Sequence, residues 1–163
     1  MKKILIVSFL LLSVNLFAQK YGHCDVNLIA TKLPELAEID KQVKVKTTEL
    51  EGRLQRMYEV YQSKIADFQS AVNTMTPDQQ KIAAEEIQNL EVRIQEAQQN
   101  SQQELQQYDM DLKKPLFEKV KKAIDDVSTE NGFTLVFDVS TGTVLYAGGE
   151  DVNDLVLQKL GVQ

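Results

Sequence analysis

The sequence predicts an α+β protein in which a long antiparallel α-helical coiled-coil hairpin projects from a small β-rich base. Three observations carry this. Apolar residues recur in alternating steps of three and four across most of the chain, the spacing of a coiled-coil seam. Thr76-Pro77 interrupts that pattern once. Beyond Asn131-Gly132 the apolar period shortens to two, as in a strand. Composition agrees: three Pro and seven Gly in 163 residues favour long helices over a sandwich or barrel. One Cys excludes an intrachain disulfide. The net charge of −6 argues against nucleic acid as a partner.

The first residues read as a targeting segment. Lys2 and Lys3 precede a nearly unbroken apolar run from Ile4 to Leu12, and Ala18 stands before Gln19. This is the basic, apolar and small-residue order of a secretory signal peptide, with cleavage expected after Ala18. The run is shorter than the ~20 residues that span hydrocarbon, so stable membrane insertion is not expected. Loss of Lys2 and Lys3 leaves 16 basic against 24 acidic side chains, a net of −8.

In the mature chain, Tyr21 to Val26 is expected to form a strand, with Asn27 as helix cap and Leu33-Pro34 as a break. Helix one begins near Leu36. Its columns are Leu36, Val43, Leu50 and Met57, then Leu54, Tyr61, Phe68 and Met75. Thr76 can cap a second helix whose first position suits Pro77. That helix carries Ile82 or Ala83, then Ile87, Leu90, Ile94 and Ala97, continues through Leu116, Val120, Ile124 and Val127, and stops at Asn131-Gly132. Pro115 removes a backbone donor within it, which predicts a kink. Two long helices joined by a few residues run antiparallel.

Phe133, Leu135, Phe137 and Val139 then alternate with Thr134, Val136 and Asp138. With the turn at Ser140-Thr141-Gly142-Thr143 and a second apolar stretch, Val144 to Ala147, they predict a β-hairpin. A short amphipathic helix follows from Asp151 to Leu160. The resulting divisions are 1–18, signal peptide; 19–35, first part of the base; 36–115, hairpin arm; and 116–163, the rest of the base.

So small a base, with so many Phe, Leu and Val, should associate with copies of itself. Its expected contact residues are Tyr21, Cys24, Val26, Phe133, Leu135, Phe137, Val144 and Tyr146. The arm is uneven. Met57, Tyr58, Tyr61, Ile65, Phe68, Val72 and Met75 concentrate apolar surface on helix one, opposite a Gln-rich stretch from Gln95 to Gln107. Two readings stand: these residues pack between the helices, or they also form a weak partner-binding face.

No catalytic or metal site emerges. His23 and Cys24 are adjacent strand positions that point to opposite faces, and no second His or Cys exists. Asp125-Asp126 and Glu85-Glu86 suit solvated helix faces, and Gly148-Gly149 lacks the strand–loop–helix context of a phosphate site. No cofactor is expected.

Several segments together resemble the Skp (OmpH-like) family of periplasmic chaperones. They are Lys20-Tyr21-Gly22-His23-Cys24-Asp25-Val26-Asn27, the stretch from Glu49 to Met57, and Lys114-Pro115-Leu116 with Lys119 to Ile124. Asn131-Gly132-Phe133-Thr134-Leu135-Val136-Phe137-Asp138 and the ending from Val144 through Asp151-Val152-Asn153-Asp154 to Leu160 complete the set. The resemblance spans essentially the mature chain. It implies a homotrimer whose bases share a small β-barrel and whose arms enclose a cavity. It also implies an ATP-independent periplasmic holdase for unfolded outer-membrane proteins. The chain departs from familiar members in charge: Asp67, Asp78, Glu85, Glu86 and Glu91 outnumber Lys64, Lys81 and Arg93 near the expected arm tip, which speaks against attraction to anionic lipid or lipopolysaccharide. The competing function class is an exported adaptor coiled coil that recognises one folded envelope partner.

Overall fold

A computed structural model describes residues 19–162; the expected signal peptide lies outside the described residues. The elements are β1 (Lys20–Cys24), α1 (Val26–Thr31), α2 (Pro34–Ala71), α3 (Pro77–Glu130), β2 (Phe133–Asp138), β3 (Glu150–Asp151) and α4 (Asn153–Lys159). They divide into two compact units, Pro34–Leu116 and the residues on either side of it.

The flanking unit contains a three-stranded sheet of order β2-β1-β3, with both neighbours parallel to β1. The expected hairpin between Phe133–Val139 and Val144–Ala147 does not form. The N-terminal strand takes the place beside β2, and the backbone N–H of Val139 donates to the Cys24 carbonyl at 2.9 Å. Asp138 then turns the chain aside, because its carboxylate accepts both the N–H and the Oγ–H of Ser140 at 2.9 Å. Among the described residues, Val144 to Ala147 runs on without strand partners.

The first strand is also shorter than its sequence suggests. Val26 lies inside α1, and the cap is Asp25, which accepts from the Leu28 N–H at 2.8 Å, rather than Asn27. Side chains claim the neighbouring backbone donors: Asn153 Oδ1 takes the Asp25 N–H at 2.8 Å and Asp138 Oδ1 takes that of Val26 at 3.3 Å. With those donors occupied, the ladder ends at Cys24.

The core of this unit joins Cys24, Ile29, Ala30 and Leu33 to Val120, Ala123 and Val127 of α3 and to Val152 and Val156. The α3 residues recur in steps of three and four, so one helical face is buried. Gly132, at φ +69°, takes the left-handed position just after α3.

In the Pro34–Leu116 unit, α2 pairs antiparallel with the first part of α3. Lys46 meets Glu104, Arg53 meets Ser101 and Lys64 meets Glu86, one number rising as the other falls. Pro34 and Pro77 occupy first helical positions. Thr76 and Gln79 form a reciprocal capping box, Thr76 N–H to Gln79 Oε1 at 2.9 Å and Gln79 N–H to Thr76 Oγ1 at 3.3 Å. Ile39, Leu50, Ile94 and Leu116 are buried. Pro115 lies inside α3, which continues as one element to Glu130.

Candidate functional site

Two apolar surfaces merit description, one in each unit. The first is an open groove of about 740 Å³ on the sheet, lined chiefly by Tyr21, Leu135, Phe137, Val144, Tyr146 and Ala147. Strand geometry builds it. In parallel strands, paired residues share a face, and the register couples Tyr21 with Leu135 and His23 with Phe137. Gly22 and Cys24 turn the other way and are buried. Tyr21, Leu135 and Phe137 are each more than 40% exposed, unusual for large apolar residues sharing one sheet face. Beside them the Val144–Ala147 stretch holds Leu145 fully exposed and Tyr146 87% exposed.

Three residues expected in this contact lie elsewhere. Cys24 is buried on the opposite face, and Val26 belongs to α1. Phe133 is displaced by an irregularity in the register between Lys20 and Tyr21. Its ring packs beside Gly22, with the Lys20 ammonium 3.9 Å from the ring centre. Lys20 also pairs with Glu150 at 2.9 Å, which ties β1 to β3 on that side.

The second surface is the helical hairpin. Met57, Tyr61, Ile65, Phe68, Val72 and Met75 are all half-buried, spaced by three and four along one seam. Tyr58 stands off the seam, exposed, and its hydroxyl accepts from Gln98 Nε2 at 2.7 Å. The more exposed apolar residues of this unit are Val45, Val60, Ile82, Val92 and Met110. Ile82, one of two candidates with Ala83 for the start of the second helix's column, is exposed; sequence reasoning missed the other four because each stands singly, outside the columns that define the seam. Comparing every apolar residue with the 3/4 template would have found them as the residues left over.

A charged cluster bridges the two helices. Glu104 receives Lys46 at 2.7 Å and Arg53 at 3.1 Å, while Arg53 also donates to the buried Ser101 hydroxyl at 3.1 Å. The Lys46 hydrogen bond, followed by that of Arg53, holds the Glu104 carboxyl below the ordinary carboxylate range. The same contact raises Lys46. Arg53 and Glu104 are exposed enough for water to screen much of this attraction, so the cluster sets register more than stability.

Cys24 is 1% exposed, and burial pushes its thiol up to about 11, assisted by the charges of Asp138, Asp151 and Asp25. A thiol so shielded is a packing residue rather than a nucleophile. Among the described residues, no group of three or more His, Cys, Asp or Glu is placed to hold a metal ion. Among them, too, no helix is long and apolar enough to cross a membrane.

Against this geometry, residues 20–160 match the family described as outer membrane protein (OmpH-like). No curated protein matches the sequence. Among solved structures, an OmpH-like protein from Caulobacter crescentus CB15, provisionally described as an outer membrane chaperone, superposes with a TM-score of 0.72. The match covers 87% of this chain and 83% of that one at 13% identity, a likeness of fold.

Proposed function

Because the chain belongs to the OmpH-like outer membrane protein family, we propose that it is an ATP-independent holdase of the periplasm. It keeps unfolded outer-membrane β-barrel proteins from aggregating in a cavity between the helical hairpins of a homotrimer. The coarser part, a chaperone-like role, follows from the family itself.

The observation that carries the assembly is the exposed sheet face. Tyr21, Leu135 and Phe137 stand open beside a strand-like segment, Val144–Ala147, that has no strand partner among the described residues. The outer edge of β2 is likewise unpaired among the described residues. A second copy can cover the face and pair the edge in one step, whereas a lone subunit would leave both open to aggregation.

Client binding would fall to the hairpin, through Tyr58, Val60, Ile82 and Val92 rather than the seam residues. These side chains are exposed, scattered and flanked by polar groups. Scattered weak contacts hold an unfolded chain without fixing it, and each exchanges without fuel. The groups come from both helices, so a client can be held over a broad surface. Ile65 and Val72 support the hairpin itself, since they are half-buried in its seam.

The test is an aggregation assay on a urea-diluted outer-membrane barrel protein, with native mass measured on the same sample. Full suppression at molar excess and a mass of three chains are expected. Exchanging Tyr58, Val60 and Val92 for Ser removes roughly 1 kcal/mol of apolar contact each at partial burial, and should weaken client affinity at least tenfold with mass unchanged. Unaltered aggregation would overturn the holdase reading. A stoichiometric complex with a folded envelope protein, without preference for unfolded chains, would support an adaptor instead.

A further inference from the structure

Part of the Gln-rich stretch of α3 lies beside a matching set of amides on α2. Tyr58 stands three residues before the seam residue Tyr61, and Lys64 stands three after it. At roughly 100° per residue, they lie about 60° to either side of the seam. The contacts between the helices follow this division. Lys46–Glu104, Arg53–Glu104 and Lys64–Glu86 close one side of the hairpin, and the 2.7 Å bond from Gln98 to Tyr58 closes the other.

That other side is built of carboxamides. On α2, Gln55 and Gln62 flank Tyr58 at three and four residues, and Gln69 follows Gln62 by seven. On α3, Gln95 and Gln102 flank Gln98 at the same intervals, and Gln88 precedes Gln95 by seven. Steps of three, four and seven keep residues on one side of a helix, so the amides form a strip along the hairpin. All are exposed. Gln98 is bonded to Tyr58 and Gln55 to Glu59. Among the described residues, the side chains of Gln62, Gln69, Gln88, Gln95 and Gln102 have no hydrogen-bond partner.

Charge decides what can lie along such a strip. Glu59, bonded to Gln55, and Glu91, three residues after Gln88, border it, and no Lys or Arg joins them on that side. A phosphate or an acidic partner would meet carboxylates and no cation. A neutral polar partner is the complement. Each carboxamide offers an acceptor oxygen and two donor hydrogens, and a polypeptide offers one N–H and one C=O per residue. A folded protein has most of those backbone groups paired, whereas an unfolded one exposes them.

We infer that the amide strip beside Tyr58 binds the backbone of an extended client segment, so that recognition there depends on main-chain hydrogen bonds rather than on client charge. The inference rests on the holdase reading above and names what that surface recognises. From Gln55 to Gln69 the strip runs about 21 Å, the length of about six residues of extended chain. Exposed amides hold water until a client displaces it, so each bond is weak and exchanges readily. Apolar contact at Tyr58 adds to them without demanding one sequence.

The experiment titrates a fluorescently labelled, urea-diluted outer-membrane barrel protein with wild type and two variants. Gln62→Ala, Gln69→Ala, Gln95→Ala and Gln102→Ala together remove the free amides, and Ala favours the helix. Asn89→Ala with Asn100→Ala is the control, since Asn89 follows Glu86 by three and Asn100 precedes Glu104 by four, on the ion-paired side. One main-chain bond is worth about two- to tenfold in affinity, so the fourfold variant should bind at least about tenfold more weakly. The control should stay within about twofold, and raising salt from about 0.05 to 0.5 M should leave wild-type affinity within about twofold. Should the fourfold variant lose helicity, the side-chain amide resonances of wild type decide: client should shift those of Gln62, Gln95 and Gln102. Unchanged affinity in the fourfold variant, an equal loss in the control, tenfold weakening by salt, or amide resonances that client leaves in place would each overturn the strip. Resonances moved by a neutral oligosaccharide and not by client would assign the strip to a glycan instead. A wild type that binds no unfolded client would overturn the holdase reading, and the strip with it.

Discussion

Gly149 offers the sharpest test of how the sheet is held. It adopts φ +109°, a conformation that L side chains rarely take, and a Cβ placed there would lie 2.5 Å from the Tyr21 carbonyl oxygen and 3.0 Å from its carbon. Both are backbone atoms of the central strand, so no side chain can swing aside. The cheapest relief for Gly149→Ala is for β3 to leave β1. That breaks the pairing of Gly22 with Glu150 and of His23 with Asp151, and removes the 2.9 Å bond from the Val152 N–H to the His23 carbonyl. Val152 is fully buried, so a stranded N–H there costs about 1–3 kcal/mol. The unfavourable backbone conformation adds about 1–3 kcal/mol. Together they predict a loss of about 2–6 kcal/mol. Gly161→Ala is the control: φ is +77°, but nothing lies within 4 Å of the new Cβ, so only the backbone term of about 1–2 kcal/mol remains. Urea unfolding followed by circular dichroism, at one protein concentration, compares the two. Equal destabilisation would refute the close approach to Tyr21, because the backbone conformation would then account for everything.

Two further predictions concern groups with displaced protonation. Glu104 is held below its ordinary value by Lys46 and then Arg53, so the stability it contributes is present above the unfolded carboxylate's range and is lost as pH falls through the folded value. Glu104→Gln should lower the melting temperature slightly at neutral pH and flatten its fall below about pH 5; wild-type and variant curves that run parallel would remove Glu104 from the account. Cys24, 1% exposed with its thiol pushed up to about 11, should resist alkylation at pH 8 by at least about a hundredfold relative to the urea-unfolded chain. Similar rates in both states would show that the strand opens readily.

The helices were legible because their determinants are local. The 3/4 columns, the Thr76-Pro77 start and the Asn131-Gly132 stop each act within a few residues, and the structure uses all of them. The sheet was not legible in the same way. The strands beside β1 are β2 and β3, both more than a hundred residues later, and the register with β2 slips between Lys20 and Tyr21, which moves Phe133 off the face its alternation indicates. The cap beyond β1 shows the same limit. Asp25 and Asn27 are both suitable cap residues by type. Asp138 and Asn153 decide between them by claiming the backbone donors at residues 25 and 26, and no local pattern reveals those distant side chains. In the hairpin, periodicity located the seam but could not say which apolar residues remain outside it; Tyr58 alone of the expected face is exposed.

The failed β-hairpin and the negative charge bear on the same point. Val144–Ala147 keeps the composition of a strand while Leu145 is wholly exposed, a liability for a subunit that works alone. Net charge would oppose bringing copies together, but the charge is unevenly placed. Between Pro34 and Leu116, ten basic residues face fifteen acidic ones; in the other unit from Gln19 onward, six face nine. The residues lining the sheet groove carry no formal charge. Repulsion between copies therefore originates mainly away from the groove, and is largely screened beyond ~8 Å at physiological salt. Apolar contact at Tyr21, Leu135 and Phe137 does not have to overcome charges of its own.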